Sequence, residues 1–300
     1  MSALKYGDVE IEDTFAEMFE MWTSRVLITA ENEKWAFRAA ESAVGFASSI
    51  IGSPAEAGIE RLVPPEETPD GRVGILIHFY HRTRGDLKRQ MITRIGQCVM
   101  TCPTTAVFDA LKETARKLKV GRSLRYFGDG FQKFDELYGR KVWRIPVMEG
   151  EFLVENSFGV KKGIAGGNFF IMARDLKSGL TAAEAAVEAI KRNVKDVIMP
   201  FPGGICRSGS KVGSLKYKIP ASTNHLYCPR LRGIVTDTRV PEGVNAIYEI
   251  VINGLNLEGV KAAMAEGLRA AAKVPGVIRI SAGNYGGKLG PFKVYLRDLL

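Results

Sequence analysis

The predicted order of strands and helices in the first half of the chain recurs in the second half, and this repeat constrains the fold more than any other feature. In the first half, apolar runs typical of strands alternate with stretches whose apolar residues recur at helical spacing. Trp35, Ala39 and Ala43 mark one such helical face. The pattern predicts strands at 25–30, 47–52 and 72–80 and helices at 32–46 and 86–99.

The second half gives the same succession. Thr181 followed by Glu184 forms a capping box, which predicts a helix start. A strand–helix–strand unit doubled within each half predicts an α+β fold of two ferredoxin-like α/β sandwich lobes with mainly antiparallel sheets. The individual elements are strands at 168–173, 194–200, 245–255 and 276–281 and helices at 181–191 and 257–274.

A segment of short apolar runs with turn residues at their ends separates the two lobes. It contains GDGFQKF, GRKVWRIPV and GEFLVEN, and we expect it to form a small connecting β extension. The predicted boundaries are therefore 1–125 for the N-terminal lobe, 126–160 for the extension and 161–300 for the C-terminal lobe.

Glu249 is the one carboxylic acid in the middle of the apolar run NAIYEIVINGL. On a strand it shares a face with Ile247 and Val251, because side chains alternate with period two. A carboxyl group between apolar layers loses hydration, so its pKa should rise toward neutrality, which suits a proton carrier. The alternative is an edge strand with Glu249 pointing to water, and the pattern alone does not separate the two.

Composition is that of an ordinary soluble chain of 300 residues, with 46% hydrophobic and 25% charged residues. Its longest apolar runs have strand length and fall far short of the ~18 residues that a membrane helix needs. The N-terminal stretch MSALKYGDVEIEDTF is acidic and lacks an apolar signal core. We therefore expect a cytoplasmic protein with no membrane partner.

The net charge of +9 raises the question of nucleic-acid binding. The basic residues are spread over 112–125, 191–195 and 207–232, often with acids between them, which is typical of a solvated surface. GDGFQKF is the nearest approach to an RNA-recognition motif, but it lies outside the repeated strands. We expect no nucleic-acid partner.

The cysteines and histidines predict neither disulfides nor a metal centre. Cys98 and Cys102 are the one closely spaced cysteine pair, and no histidine lies near them at metal-ligand spacing. We expect reduced thiols and no structural metal.

Two glycine-rich stretches share some features of phosphate-binding motifs but lack the full pattern. FPGGICRSGSKVGS has two glycines at P-loop spacing but lacks the Lys-Ser/Thr ending, and SAGNYGGKLG leads into a strand rather than a helix. Neither contains the dinucleotide fingerprint. Both are compatible with tight turns or bulges, or with backbone amides that approach a ligand closely.

Read together, the motifs resemble those of the formylmethanofuran:tetrahydromethanopterin formyltransferase family, and the resemblance spans the whole chain. The residues that carry it are VEIEDTFAE, PAEAGIE, PEETPDGR, RIGQCVMT, PTTAVFDA, YFGDGF, GRKVWRIPVMEGEF, GIAGGNFFIMA, LTAAEAAVEAI, PFPGGI, SKVGS, PASTN, NAIYEIVINGL and ISAGNYGGKLG.

The resemblance implies a cytoplasmic enzyme of one-carbon metabolism that moves a formyl group between methanofuran and tetrahydromethanopterin without a metal or prosthetic group. It further implies a homotetramer built from dimers, with the active site near a dimer interface. A similar subunit in methylotrophic bacteria belongs to a formyltransferase/hydrolase complex, so such a complex is expected if the source is bacterial.

The family's active-site glutamate falls on Glu249 in the matching motif, and the resemblance implies that it is catalytic. Candidate oxyanion donors from the glycine-rich stretches and the polar residues near them are Ser210, Asn224 and Asn284. Gln97 is a candidate positioning residue or a solvated helix residue. Lys211 and Lys288 are candidates for binding acidic coenzyme tails, with ordinary surface charge as the alternative.

Two departures from the family limit the inference. Members from methanogens tend to be acidic, whereas this chain is basic, and Arg207 replaces a usually small residue. Three hypotheses follow: the formyltransferase itself, a weakly active paralogue that serves as a subunit of a larger complex, and a basic ferredoxin-like binding module.

Overall fold

A computed structural model describes residues 4–207 and 209–300 of the chain. Residues 1–3 of the N-terminal stretch and Ser208 of the glycine-rich stretch, both used in the sequence predictions, lie outside the described residues. The fold is mixed α+β, as predicted, and divides into two compact units. We call Met21–Gly163 the central unit, and the N-terminal segment through Glu20 together with Ile164–Leu300 the terminal unit.

The described strands, in chain order, are β1 Leu4–Tyr6, β2 Val9–Ile11, β3 Phe15–Thr29, β4 Glu56–Val63, β5 Gly74–His81, β6 Ala106–Asp109, β7 Lys117–Leu118, β8 Lys133–Leu137, β9 Arg140–Val147, β10 Gly150–Glu155, β11 Phe158–Gly159, β12 Lys161–Ala173, β13 Val197–Ile198, β14 Ser210–Val212, β15 Ala221–Thr223, β16 Ala246–Gly254, β17 Val277–Ser281 and β18 Phe292–Tyr295. The α-helices are α1 Glu33–Val44, α2 Arg84–Arg94, α3 Val120–Leu124, α4 Leu176–Asn193 and α5 Leu257–Ala272.

In the central unit the strand order is β4-β5-β3-β6-β10-β9-β8, antiparallel throughout except for the parallel pair β6 and β10. Helix α1 buries a stripe of alanines in the core of this unit, because residues three and four apart share one helix face. The Asn32 side chain caps its first turn by accepting from the Trp35 N–H. Helix α2 begins at the Thr83 cap and ends in a single π turn, Ile95–Val99.

In the terminal unit the strand order is β1-β2-β17-β12-β16-β13, and β17 runs parallel to β2. Strand β18 pairs with the first residues of β3. Helices α4 and α5 pack on each other and on β16, and Asp175 and Asn256 cap their first turns. The main apolar core lies between the sheet and these two helices. The opposite face of the sheet is left for a smaller apolar cluster and for polar side chains.

One predicted strand was wrong, and one helix and one other strand have bounds that differ from the prediction. Residues 47–52 form no strand, and the strand lies instead at Glu56–Val63, where Ala57, Ile59 and Val63 pair with the neighbouring strand β5. Helix α4 begins after Asp175 rather than at Thr181, because the Asp175 side chain accepts from the Ser178 N–H. Only Val197–Ile198 of the predicted strand 194–200 forms a strand.

The sheets were predicted to be mainly antiparallel. The observed sheet is mixed, because it contains two parallel strand pairs, β6 with β10 and β2 with β17. The predicted boundaries 1–125, 126–160 and 161–300 remain a prediction. No helix of the described ranges combines the length and the apolar character that a membrane span requires.

Candidate functional site

Glu249 lies in the middle of β16, and its position is fixed from both sides. Its β-branched and aromatic neighbours favour an extended backbone. On one side Glu249 lies opposite Phe170 of β12. On the other side it forms an isolated antiparallel bridge with Cys206, in which the N–H of each residue donates to the carbonyl of the other at 2.8 Å. At Glu249 the strand is therefore not a free sheet edge.

The Glu249 side chain is half-buried and faces a pocket of the terminal unit. Loss of hydration on burial raises the pKa of its carboxyl group to about 7, while a hydrogen bond with the Cys206 side chain acts in the opposite direction. Both protonation states are therefore populated near neutral pH, so the group can accept and release a proton. The pocket is lined by Phe170, Cys206, Arg207, Gly209, Thr223, Asn224, Tyr227, Cys228, Pro229, Ile247 and Glu249.

Asn224 is the predicted site residue that the structure brings to the Glu249 pocket. Its backbone N–H donates to the Gly209 carbonyl at 2.8 Å, which fixes its position at the end of the β14–β15 hairpin. Its side-chain amide makes no hydrogen bond within the described residues. Arg207 also lines this pocket.

Ser210 and Lys211 lie on β14 of the same hairpin, next to the pocket-lining Gly209. The Ser210 residue is exposed. The Lys211 ammonium donates to the Ser222 hydroxyl at 2.7 Å across the hairpin. The hairpin thus carries both residues at the border of the pocket rather than in its lining.

Asn284 and Lys288 lie in the glycine-rich loop between β17 and β18. The Asn284 side-chain N–H groups donate to the Thr14 hydroxyl and the Phe15 carbonyl, both at 3.1 Å. Its side-chain oxygen accepts from the Gly286 N–H at 3.1 Å. Asn284 is therefore engaged in holding the loop, whereas Lys288 is exposed.

Glu17 of β3 holds the same loop and was not predicted from the sequence. The residue is 1% exposed, and its carboxylate accepts hydrogen bonds from four backbone N–H groups of the loop. Although burial acts against ionisation, these four N–H groups lower the pKa of Glu17. The signal that could have revealed it is the one that revealed Glu249, an acidic residue between apolar residues of a strand. The four backbone N–H groups that donate to the Glu17 carboxylate belong to Tyr285, Gly287, Leu289 and Gly290.

Tyr285 is a second residue that the sequence did not reveal. Burial, together with the negative charges of Glu249 and Glu17, raises the pKa of its phenol, while the Val212 backbone amide opposes the shift. The phenol therefore stays protonated over the pH range in which Glu249 titrates. The charge of Glu249 therefore acts on a side chain of the loop that Glu17 holds.

Gln97 lies in the π turn of the central unit with an exposed side chain. It does not line the Glu249 pocket, and its role stays a prediction. Within the ranges that the structure describes, no cluster of three or more histidine, cysteine, aspartate or glutamate residues is arranged to hold a metal ion.

Comparison with known proteins places this architecture in a class of transferases. The family model described as "Formylmethanofuran-tetrahydromethanopterin formyltransferase" matches residues 4–147, and the model described as "FTR, proximal lobe" matches residues 150–299. The chain therefore belongs to the formylmethanofuran–tetrahydromethanopterin formyltransferase family, as the sequence motifs predicted, and is an enzyme of the transferase class.

Individual relatives agree over their full length. The formylmethanofuran–tetrahydromethanopterin formyltransferase of Methanocaldococcus jannaschii is 58% identical over 99% of both chains. That of Methanopyrus kandleri is 57% identical over 99% of this chain and 100% of its own.

Two solved structures have the same fold as this chain. The formyltransferase of Methanosarcina barkeri aligns with a TM-score of 0.95 at 51% identity, over 99% of this chain and 100% of its own. A chain of the formyltransferase/hydrolase complex of Methylorubrum extorquens, solved with methylofuran, aligns with a TM-score of 0.94 at 43% identity, over 99% of both chains.

Proposed function

We propose that this enzyme transfers a formyl group reversibly between the amine of methanofuran and the N-5 amine of tetrahydromethanopterin. The single observation that carries the mechanism is Glu249, a half-buried carboxyl group with a pKa of about 7 in a pocket of the terminal unit. Membership of the formyltransferase family supports the choice of the two coenzyme substrates. Neither is a resident prosthetic group.

The reaction exchanges one C–N bond for another through a tetrahedral intermediate. The attacking amine forms a bond to the formyl carbon, the carbonyl electron pair moves to the oxygen, and the attacking nitrogen gives its proton to the Glu249 carboxylate. The carbonyl then re-forms, the bond to the leaving nitrogen breaks, and Glu249 returns the proton to that nitrogen. A carboxyl group whose pKa lies near the working pH is suited to both steps.

Asn224 is the strongest of the three candidate oxyanion donors. It lines the pocket with Glu249, and its side-chain amide has no partner within the described residues. Asn284 has committed both of its side-chain N–H groups to Thr14 and Phe15, and Ser210 is exposed on the hairpin. We therefore propose that the Asn224 side-chain amide donates a hydrogen bond to the oxyanion of the tetrahedral intermediate. Ser210 and Asn284 then serve to hold the backbone around the site.

The acidic tails of the coenzymes are proposed to bind Lys211 and Lys288. The Lys211 ammonium uses one of its three N–H groups on Ser222 and keeps the others for an anion. Lys288 projects from the glycine-rich loop that Glu17 clamps. We retain Gln97 as a positioning residue.

A formyl-transfer assay on Glu249→Gln tests the proposed function. Purified enzyme is mixed with formylmethanofuran and tetrahydromethanopterin, and the pterin absorbance is followed. The amide cannot carry a proton, so turnover should fall about 10²- to 10⁴-fold with folding intact. The matched control is Glu258→Gln, whose glutamate is exposed on α5 and should keep the wild-type rate. Wild-type turnover in Glu249→Gln would remove this residue from the mechanism.

The second candidate function is that of a subunit in a larger assembly with little activity of its own. The observation that favours it is the similarity to a chain of the formyltransferase/hydrolase complex of Methylorubrum extorquens. Co-purification of partner subunits together with absent transfer by the isolated chain would support it. Transfer by the isolated chain at rates that depend on both substrates would count against it.

Further proposals concern assembly, location and fold. We propose a homotetramer built as a dimer of dimers in the cytoplasm, to be checked by light scattering.

We also propose that both units are ferredoxin-like. In each, two helices follow the first and third of four strands, and the sheet orders β4-β5-β3-β6 and β13-β16-β12-β17 are equivalent.

A further inference from the structure

We propose that Cys206 is a positioning residue for Glu249, whose thiol orients the carboxyl group and stabilises its ionised form. This inference rests on the proposed function of Glu249 as the proton carrier.

The geometry of the bridge carries the proposal. Cys206 and Glu249 exchange two backbone hydrogen bonds of 2.8 Å, which makes them a directly opposed hydrogen-bonded antiparallel pair. Side chains of such a pair lie on the same face of the sheet with their Cβ atoms about 5 Å apart. Both residues line the same pocket, and Cys206 is 4% exposed. The thiol is therefore held beside the carboxyl group and away from solvent.

The backbone that presents Cys206 is itself fixed. Pro202–Gly204 form a tight turn in which Gly203 has φ 63° and Gly204 has φ 86°, conformations that favour glycine. A Cβ atom at Gly204 would lie 3.0 Å from the Val187 side chain of α4. The turn thus packs closely on α4, which fixes the position at which Cys206 pairs with Glu249.

The chemistry of the thiol determines what it does to Glu249. A thiol is a weak hydrogen-bond donor, and donation to a carboxylate stabilises the ionised form. Cys206 is the side chain whose hydrogen bond lowers the pKa of Glu249, against the larger effect of burial. Without this bond the carboxyl group would hold its proton more tightly and would be a poorer acceptor at neutral pH.

Other ionisable groups face Glu249 from the surrounding elements. Arg207, Tyr227 and Cys228 line the same pocket, and the charge of Glu249 acts on Tyr285 of the glycine-rich loop. The neighbouring strand β12 contributes the apolar Phe170. Since none of these is a hydrogen-bond partner of the carboxyl group in the described part of the chain, changes at Cys206 act on Glu249 directly.

The test is the pH dependence of kcat/KM for formyl transfer in wild type, Cys206→Ala and Cys206→Ser. Alanine removes the donor, so the midpoint of the Glu249 titration should move to higher pH by about 0.5–1 unit. Serine supplies a stronger donor, so the midpoint should move to lower pH. The matched control is Cys102→Ala in the central unit, whose midpoint should equal that of wild type. Midpoints that coincide, or that move in the same direction in both Cys206 variants, would overturn the proposal.

A second readout separates this proposal from the proposed function. ¹³C labelling of the glutamate carboxyl groups and comparison with Glu249→Gln identifies the Glu249 resonance, whose titration can be followed without substrates. An upward shift in Cys206→Ala and a downward shift in Cys206→Ser support the positioning role even if formyl transfer fails. An unchanged titration refutes it even if transfer succeeds. If the alanine variant does not fold, the serine variant alone decides by the direction of its shift.

Discussion

The carboxylate of Glu17 accepts a hydrogen bond of 2.8 Å from the backbone N–H of Tyr285, across 268 positions of sequence. Three further loop N–H groups converge on the same carboxylate. Clustered backbone amides of this kind form an anion-binding concavity, and here the anion is a side chain of the protein itself. These amides are therefore not available to a substrate anion, and the loop acts as a fixed support for Tyr285.

Glu17→Gln should destabilise the protein. An amide offers one acceptor oxygen and places its own N–H groups toward the loop donors, so the free energy of unfolding at neutral pH should fall by about 2–4 kcal/mol. The pKa of Glu17 is lowered in the folded state. Its stabilising effect is therefore present above the ordinary carboxyl pKa and is lost as pH falls through the folded value. Urea unfolding at several pH values measures both effects.

Glu136→Gln provides the control for Glu17, because its glutamate is an exposed strand residue of β8. It should unfold within about 0.5 kcal/mol of wild type. Equal stability of Glu17→Gln and Glu136→Gln at neutral pH would show that the loop does not depend on the carboxylate.

Glu249→Gln should stabilise the protein at high pH, whereas Glu17→Gln should destabilise it. The pKa of Glu249 is raised from an ordinary value of 4.5 to about 7, so the folded protein binds this proton more tightly than the unfolded chain. Stability contributed by the group therefore falls as pH rises from 4.5 to about 7. The variant should be more stable than wild type above about pH 8, by about 1–3 kcal/mol, with the difference vanishing below about pH 4. A pH series of thermal unfolding measures it, and a variant less stable than wild type at high pH would contradict the burial of a charged carboxylate.

Glu60→Gln should disrupt a buried ionic cluster of the central unit. Arg25 donates two hydrogen bonds of 2.7 and 2.6 Å to Glu60, and His78 Nε2 lies 2.7 Å from it. Burial alone would raise the pKa of Glu60, but the bonds with His78 and Arg25 lower it to about 2. Neutralising one member leaves buried partners unpaired, which should cost about 3–5 kcal/mol at neutral pH.

The Glu60 contribution has a defined pH window and a control. Because the folded pKa is lowered, the stabilisation is present above about 4.5 and is lost as pH falls toward about 2. Glu67→Gln removes the exposed partner of Arg61 and should cost at most about 1 kcal/mol. Chemical denaturation measures the free energy of unfolding of both variants. Equal decreases in Glu60→Gln and Glu67→Gln would mean that burial does not strengthen the Glu60 cluster.

Gly267→Ala in α5 should destabilise the protein although alanine favours helices. Its Cβ would lie 2.8 Å from the Phe169 ring and 2.9 Å from the Ile190 side chain, both fully buried. Overpacking should lower the free energy of unfolding by about 1–3 kcal/mol. Gly85→Ala in α2 is the matched control, because nothing lies within 4 Å of its Cβ position. It should raise stability by about 0.5–1 kcal/mol, and equal effects at the two sites would contradict the close packing of α5.

The sequence predicted the recurring strands and helices, the family and the position of Glu249 on an apolar strand. It did not predict strand β4, whose side chains alternate within a stretch rich in proline and turn residues. Nor did it reveal Glu17 or Tyr285. Local patterns record which residues share a face of one element, but they do not record which distant element will cover that face.

What the sequence determined by itself was the order of the elements and the choice of Glu249 as the proposed proton carrier, because periodicity and motif residues are local properties of the chain. What only the tertiary structure decided was the environment of that carrier. Burial raises the pKa of Glu249 and the hydrogen bond with the Cys206 side chain opposes the shift, and both depend on segments brought together by folding. The protonation state of a carboxyl group depends on solvation and neighbouring dipoles, and folding changes both.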